Sequence, residues 1–169
     1  TPNESSAASD VYKRQGRTLL LQAPPGAGKT TRVPLALIGA LGDQVRRDGQ
    51  IWMIEPRRLA ARAAAARLAS SLEEPVGQRI GFAVRGEQRR SARTQVEVIT
   101  DGLFLRRLQA DPSLDGVSCV LFDEFHERRR DADLAFALLR EAAPLLRPDL
   151  SLMLCLLYTS DAADESWGV

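Results

Sequence analysis

Lysine is almost missing from this chain. Lysine and arginine together number 23, yet only Lys13 and Lys29 are lysines. A chain that takes nearly all its positive charge from planar guanidinium forks keeps a point-like ammonium at Lys29, and that choice needs a reason. Cysteine is scarce as well: Cys119 and Cys155 lie far apart in sequence, which argues against a disulfide scaffold. No apolar run approaches the roughly 20 residues that a membrane-spanning helix needs. No signal peptide opens the chain. The expectation is a cytoplasmic protein with no membrane partner. Aromatic residues are 5% of the total, and the phenylalanines Phe82, Phe104, Phe122 and Phe136 sit in strand or helix settings that suit a core better than a base-stacking platform. What is present is ordinary for a soluble globular domain: 169 residues, 44% hydrophobic and 27% charged, enough for one compact unit.

The two ends differ from the middle. Ser5–Gln15 (SSAASDVYKRQ) and Cys155–Glu165 (CLLYTSDAADE) resemble translations of one short synthetic adapter DNA, read forwards in the first case and as its reverse complement in the second. Residues 1–15 and 155–169 are therefore expected to be non-native tails and are set apart from fold reasoning. The body, 16–154, is mildly basic, with Lys29 as its sole lysine.

Within the body, apolar runs alternate with helix-like stretches. Strands are expected at Thr18–Gln22, Ile51–Glu55, Arg79–Val84, Gln95–Thr100, Val117–Phe122 and Leu150–Leu154. Helices are expected from near Lys29 to about Leu41, then over Leu59–Leu72, Gly102–Gln109 and Ala132–Glu141. Strands alternating with helices, several of them apolar on nearly every residue, indicate an α/β fold with a mainly parallel sheet covered on both faces. Such sheets bind ligands beyond the carboxyl ends of their strands.

Two motifs follow strands at that end. The first is Ala23-Pro24-Pro25-Gly26-Ala27-Gly28-Lys29-Thr30, a phosphate-binding loop with Ala in place of the usual first Gly. Gly26, Ala27 and Gly28 let backbone N–H groups turn inward around phosphate oxygens, and the helix that starts near Lys29 adds its positive end. Lys29 is expected to reach the β- and γ-phosphates, the Thr30 hydroxyl to ligate Mg²⁺, and Thr31 to complete the cradle. The bland alternative is a Gly/Pro turn before an ordinary helix. The second motif is Asp123-Glu124-Phe125-His126-Glu127-Arg128 after the strand Val117–Phe122. Asp123 suits Mg²⁺ and Glu124 suits orienting and deprotonating a water. His126, the chain's only histidine, lies beside them, although a lone histidine is more often structural.

These residues resemble the DEAH-box group of superfamily 2 helicases, most closely the bacterial HrpB type. The resemblance spans the body and includes, in order, Gln22–Pro34, Glu55–Arg62 (EPRRLAAR), Gly81–Arg85 (GFAVR), Thr100–Gly102 (TDG) and Asp123–Arg128. It implies a three-layer RecA-like P-loop NTPase domain, the first of two such domains in an ATP-dependent nucleic-acid helicase that uses ATP and Mg²⁺. It implies that Arg57, Arg58, Thr100, Asp101 and Gly102 touch the backbone of single-stranded nucleic acid, RNA by family habit, with Arg85 as a further contact. Arg67 corresponds to an arginine that stacks on the nucleotide base in relatives. An ordinary helix-start pair tied to local acids is the alternative for Arg57 and Arg58, and a solvated helix face for Arg67. The run Arg128–Arg130 departs from the family's commoner Glu-Arg-Ser pattern and reads as surface charge.

The resemblance also implies what is missing: a Ser-Ala-Thr motif after Leu154, and a second RecA-like domain with its arginine fingers. This chain by itself is therefore expected to bind nucleotide weakly, not to unwind, and to be poorly soluble. Two other readings stay open from the residues alone: a P-loop NTPase of another class, and a nucleotide-binding module without turnover.

Overall fold

A computed structural model describes residues 18–24 and 26–157. Residues 1–17, Pro25 of the phosphate loop and residues 158–169 lie outside the described residues. Chain order runs β1 (Thr18–Ala23), α1 (Lys29–Asp48), β2 (Gln50–Glu55), α2 (Arg58–Ser71), β3 (Ile80–Val84), β4 (Glu87–Arg89), β5 (Val96–Thr100), α3 (Asp101–Ala110), β6 (Val117–Phe122), a single 3-10 turn (Phe125–Glu127), α4 (Arg130–Leu146) and β7 (Ser151–Leu157). The strands form one sheet in the order β1-β7-β6-β2-β5-β3-β4. Every pairing is parallel except β3 with β4. Cys155–Leu157, which the sequence reading set apart from the body, carry β7 past Leu154 and pair with Leu21–Ala23 of β1.

The apolar strands are explained by helices on both faces. Ile51 and Met53 of β2, with Cys119 and Leu121 of β6, pack against α1 and α2. Ile54 of β2, with Val120 and Phe122 of β6, packs against Phe104 and Leu108 of α3 and Leu139 of α4. A strand buried on both faces has no polar side to show, so a continuous apolar run replaces alternation. The three layers and mainly parallel sheet read from the sequence are what the chain forms. Among the described residues no helix is long and apolar enough to cross a membrane.

Three local differences have physical causes. β4 has no hydrophobic signal of its own; it exists because Arg85-Gly86 turns the chain back along the free edge of β3. Gly81 permits that approach, since a Cβ there would lie 2.7 Å from the Arg89 carbonyl oxygen. On β5 the alternation of Val96 and Val98 with Glu97 suggests a polar face, yet Glu97 is fully buried. Arg107 of α3 reaches it through two nitrogens at 3.0 and 3.3 Å. Finally, α4 starts at Arg130, where Asp131 and Asp133 in its first turn complement the positive helix end. Phe122, Phe125 and Phe136 meet edge to face with centroids 5.2–5.8 Å apart. Trp52, Phe104 and Phe122 continue the chain of contacts inward.

Candidate functional site

The phosphate loop leaves β1 and becomes α1 without a side-chain cap. Gly26 and Gly28 both take left-handed backbone, with φ of 77° and 75°, a conformation that costs glycine little and other residues more. The carbonyl of Gly28 accepts hydrogen bonds from the N–H groups of Thr31 and Arg32, at 3.1 and 2.7 Å. Lys29 is buried, and its Nζ donates to the carbonyl of Ala23 at 2.8 Å. The ammonium is thus held inside the loop whose backbone would face a phosphate.

The acidic strand tip meets this loop directly. Thr30 Oγ1 donates to Asp123 Oδ2 at 2.6 Å, joining residues 93 positions apart. Asp123 is buried, and its N–H donates to the Ile54 carbonyl at 3.0 Å, which holds it at the end of β6 next to β2. Glu124 follows in left-handed backbone, φ 51°, an uncommon state for a non-glycine residue and one that concentrates at functional sites. Its carboxylate faces His126, with Nε2 to Oε2 at 3.2 Å. A hydroxyl paired with a carboxylate is a hard-oxygen donor set that fits Mg²⁺, which is held by one or two protein groups plus waters and phosphates. Among the described residues no cluster of three or more His, Cys, Asp or Glu forms a metal site of its own.

The adjoining strand ends build a second feature. An open groove is lined by Pro56, Arg58, Arg85, Thr100, Asp101, Gly102, Leu103 and Arg106. Arg58 and Arg85 are exposed, and the N-terminus of α3 opens into the same groove. Arg57 leans the other way, its guanidinium 3.9 Å from Glu127 and largely in solvent. Asp101 does not present its carboxylate to the groove as a free charge. Its side chain is buried, accepts the Gly102 N–H at 2.7 Å and accepts Arg129 Nε at 2.6 Å. Arg67 lies on the exposed side of α2.

A sequence model of the DEAD/DEAH box helicases matches residues 1–154. The chain belongs to that family. It is 46% identical over 136 residues to the ATP-dependent RNA helicase HrpB of Escherichia coli K12, covering 80% of this chain and 16% of that protein. It is 37% identical over 141 residues to the DExH-box ATP-dependent RNA helicase DExH1 of Arabidopsis thaliana, covering 83% of this chain and 14% of the relative. The crystal structure of the E. coli DExH-box NTPase HrpB superposes with a TM-score of 0.78 at 44% identity, over 85% of this chain and 17% of that one. The chain thus spans about a sixth of the length of these relatives.

In this helicase domain the structure adds residues to which the sequence assigned no role. Glu55 ends β2, is 3% exposed, and sits among acids. Burial first, then the charge of Asp123, a hydrogen bond with Asp123 and the charge of Glu124 push its carboxyl up to about 8, while Arg67 acts in the opposite direction. The proton is therefore held in the folded state over a range where the unfolded chain has released it. Glu55 contributes its full stability below its ordinary value of 4.5, and that contribution drains away as pH rises through about 8. In metal-free buffer, Glu55→Gln is expected to remove this decline, a difference on the order of a few kcal/mol between pH 5 and 9. Urea denaturation at pH 5, 7 and 9 measures it; parallel profiles for the two proteins would contradict it.

Arg106 lines the groove while its neighbour Arg107 turns inward to Glu97. Successive helical residues point about 100° apart, so only the phase of α3 separates their roles. Arg129, read as surface charge, is exposed, and the structure adds that it is the partner of buried Asp101. Arg128 reaches Asp133 at 3.3 Å and remains largely in solvent.

Proposed function

We propose that the protein carrying this domain is a cytoplasmic ATP-dependent RNA helicase, and that this chain supplies the nucleotide-binding half of its motor. The observation that carries the reading is the 2.6 Å contact between Thr30 and Asp123. It brings the phosphate loop and the acidic strand tip to one point, as a nucleotide–Mg²⁺ complex requires. In this reading Gly26, Ala27, Gly28, Lys29, Thr30 and Thr31 hold the phosphates, Thr30 and Asp123 hold Mg²⁺, and Arg67 lies against the base. When bound there, Mg²⁺ would supply positive charge to offset that of the phosphates. Glu124 takes the proton of the attacking water, and His126 orients Glu124. A second RecA-like domain supplies the remaining positive charge, so the isolated chain binds nucleotide without efficient turnover.

Nucleic acid lies along the arginine groove. Arg58, Arg85 and Arg106 supply charge, Arg57 flanks them, and Thr100 and Gly102 offer backbone at a helix N-terminus. Guanidiniums and helix ends bind phosphates without reading bases, so the grip is salt-sensitive and weakly selective. RNA as the substrate is supported by the names of the relatives.

Two measurements on the full-length protein test this reading. Single-stranded RNA is expected to stimulate its ATP turnover; turnover indifferent to RNA and DNA would favour a P-loop ATPase of another kind. Arg58→Ala, Arg85→Ala and Arg106→Ala are each expected to reduce the slope of log affinity against log salt by about 0.7, the value for one phosphate contact on a single strand. Unchanged slopes would place the strand elsewhere.

A further inference from the structure

The groove and the hydrolytic tip share a wall. Pro56 and Asp101 line the groove, and they also line a small cavity whose other residues include Glu55, Asp123, Glu124 and Arg129. Asp101 is thus the acidic residue that lines both. It is fixed from one side by its own turn, through the Gly102 N–H, and from the other by Arg129. Gly102 is close-fitting as well, since a Cβ there would lie 3.1 Å from Asp131 Oδ2 of α4.

Arg129 closes the loop that begins at Asp123. The path between them is short: Glu124 in left-handed backbone, one 3-10 turn, then Arg128 again left-handed, φ 52°. Arg129 caps α4, with its carbonyl accepting the Asp133 N–H at 2.8 Å. One end of the loop is therefore anchored on β6 and Thr30, and the other on α4 and Asp101. Glu124 and His126 lie between the anchors. A displacement of the turn at 100–102 must move Arg129 or break its contact, and moving Arg129 reorients the segment that carries Glu124.

Resting on the helicase reading above, we propose that Arg129 is a positioning residue that couples the phosphate-gripping turn to the hydrolytic loop, so that nucleic acid in the groove sets the orientation of Glu124. Arg129 touches neither nucleotide nor nucleic acid in this scheme. A half-exposed ion pair adds little to stability; its consequence here is geometric, because it ties together two elements whose ligands differ.

The test uses the full-length protein, with ATP turnover measured with and without single-stranded RNA, RNA binding measured by anisotropy, and thermal melting recorded for each variant. Arg129→Gln is expected to keep RNA-free turnover within about twofold of wild type and to lower the RNA stimulation factor about tenfold, within the usual range of coupling between sites. Arg129→Lys, which keeps the charge, recovers most of the stimulation. Asp101→Asn combined with Arg129→Gln is no worse than the more severe single change, because the two residues act through each other. Full stimulation in Arg129→Gln overturns the proposal. So does a parallel fall in RNA-free turnover, stimulated turnover and melting temperature, which is the mark of a purely structural pair. A wild-type protein that RNA does not stimulate removes the helicase reading itself, a result seen before any variant is made.

Discussion

Glu124→Gln in the full-length protein is expected to lower ATP turnover by about 10²–10⁴, the contribution of a positioned general base, while nucleotide affinity stays within a few-fold. The two adjacent carboxylates are distinguished by what they already touch. Asp123 is buried, and its Oδ2 accepts the Thr30 hydroxyl of the phosphate loop while its Oδ1 accepts the Glu124 N–H. Glu124 has its side chain 31% exposed and turns aside in left-handed backbone to meet His126. In the proposed reading its carboxylate is the one that takes the proton of the attacking water. The amide of Gln keeps the size and the contact to His126 but accepts no proton at neutral pH. Steady-state ATP hydrolysis alongside titration of a fluorescent nucleotide separates the two effects. Turnover within tenfold of wild type would remove Glu124 from the role of base; a large loss of nucleotide affinity would assign it to binding. Asp123→Asn is the contrast, with weakened Mg²⁺-dependent nucleotide binding expected.

The largest effect on stability is expected at Arg107→Ala. Glu97 is fully buried in the middle of the sheet, and Arg107 meets both of its oxygens while lying over the Trp52 ring at 4.8 Å. Arg90 is the only other cation paired with Glu97 among the described residues, at 3.6 Å and largely from the solvent side. Removing one partner of a buried pair strands the other charge and costs about 3–5 kcal/mol; the lost cation–π contact adds to this, and Arg90 offsets part of it. For a domain of this size, that corresponds to a fall in melting temperature of roughly 10 °C. Adding Glu97→Gln to Arg107→Ala is expected to restore part of the loss, because the stranded charge is then gone. Thermal denaturation of the single and double variants decides the matter; equal melting temperatures for wild type and Arg107→Ala would show the pair to be dispensable. Function is affected too, since α3 carries Arg106 into the groove on the turn that Arg107 anchors.

The order of most strands and helices, the three-layer arrangement and the Gly-rich loop between β1 and α1 were legible in the sequence because each rests on local information. An apolar strand, a Gly-rich turn and a lone lysine lie within a dozen residues, and the strand–loop–helix context follows from them. The acidic tip was legible for the same reason, as two carboxylates directly after a buried strand. The edge strand β4 was not, since Glu87–Arg89 is polar and forms only because β3 offers an unpaired edge.

What the sequence alone determined, then, is the fold and the placement of the two strand-end motifs, because backbone conformation there is set by near neighbours. Which charge serves which purpose was decided only in three dimensions. Arg106 faces the groove, Arg107 neutralises Glu97, Arg129 holds Asp101, and Glu55 keeps its proton beside Asp123. In sequence these are ordinary arginines and glutamates. Their roles depend on burial and on partners brought from distant strands, and electrostatic interactions in a desolvated site depend on distance through space, which the order of residues along the chain does not contain.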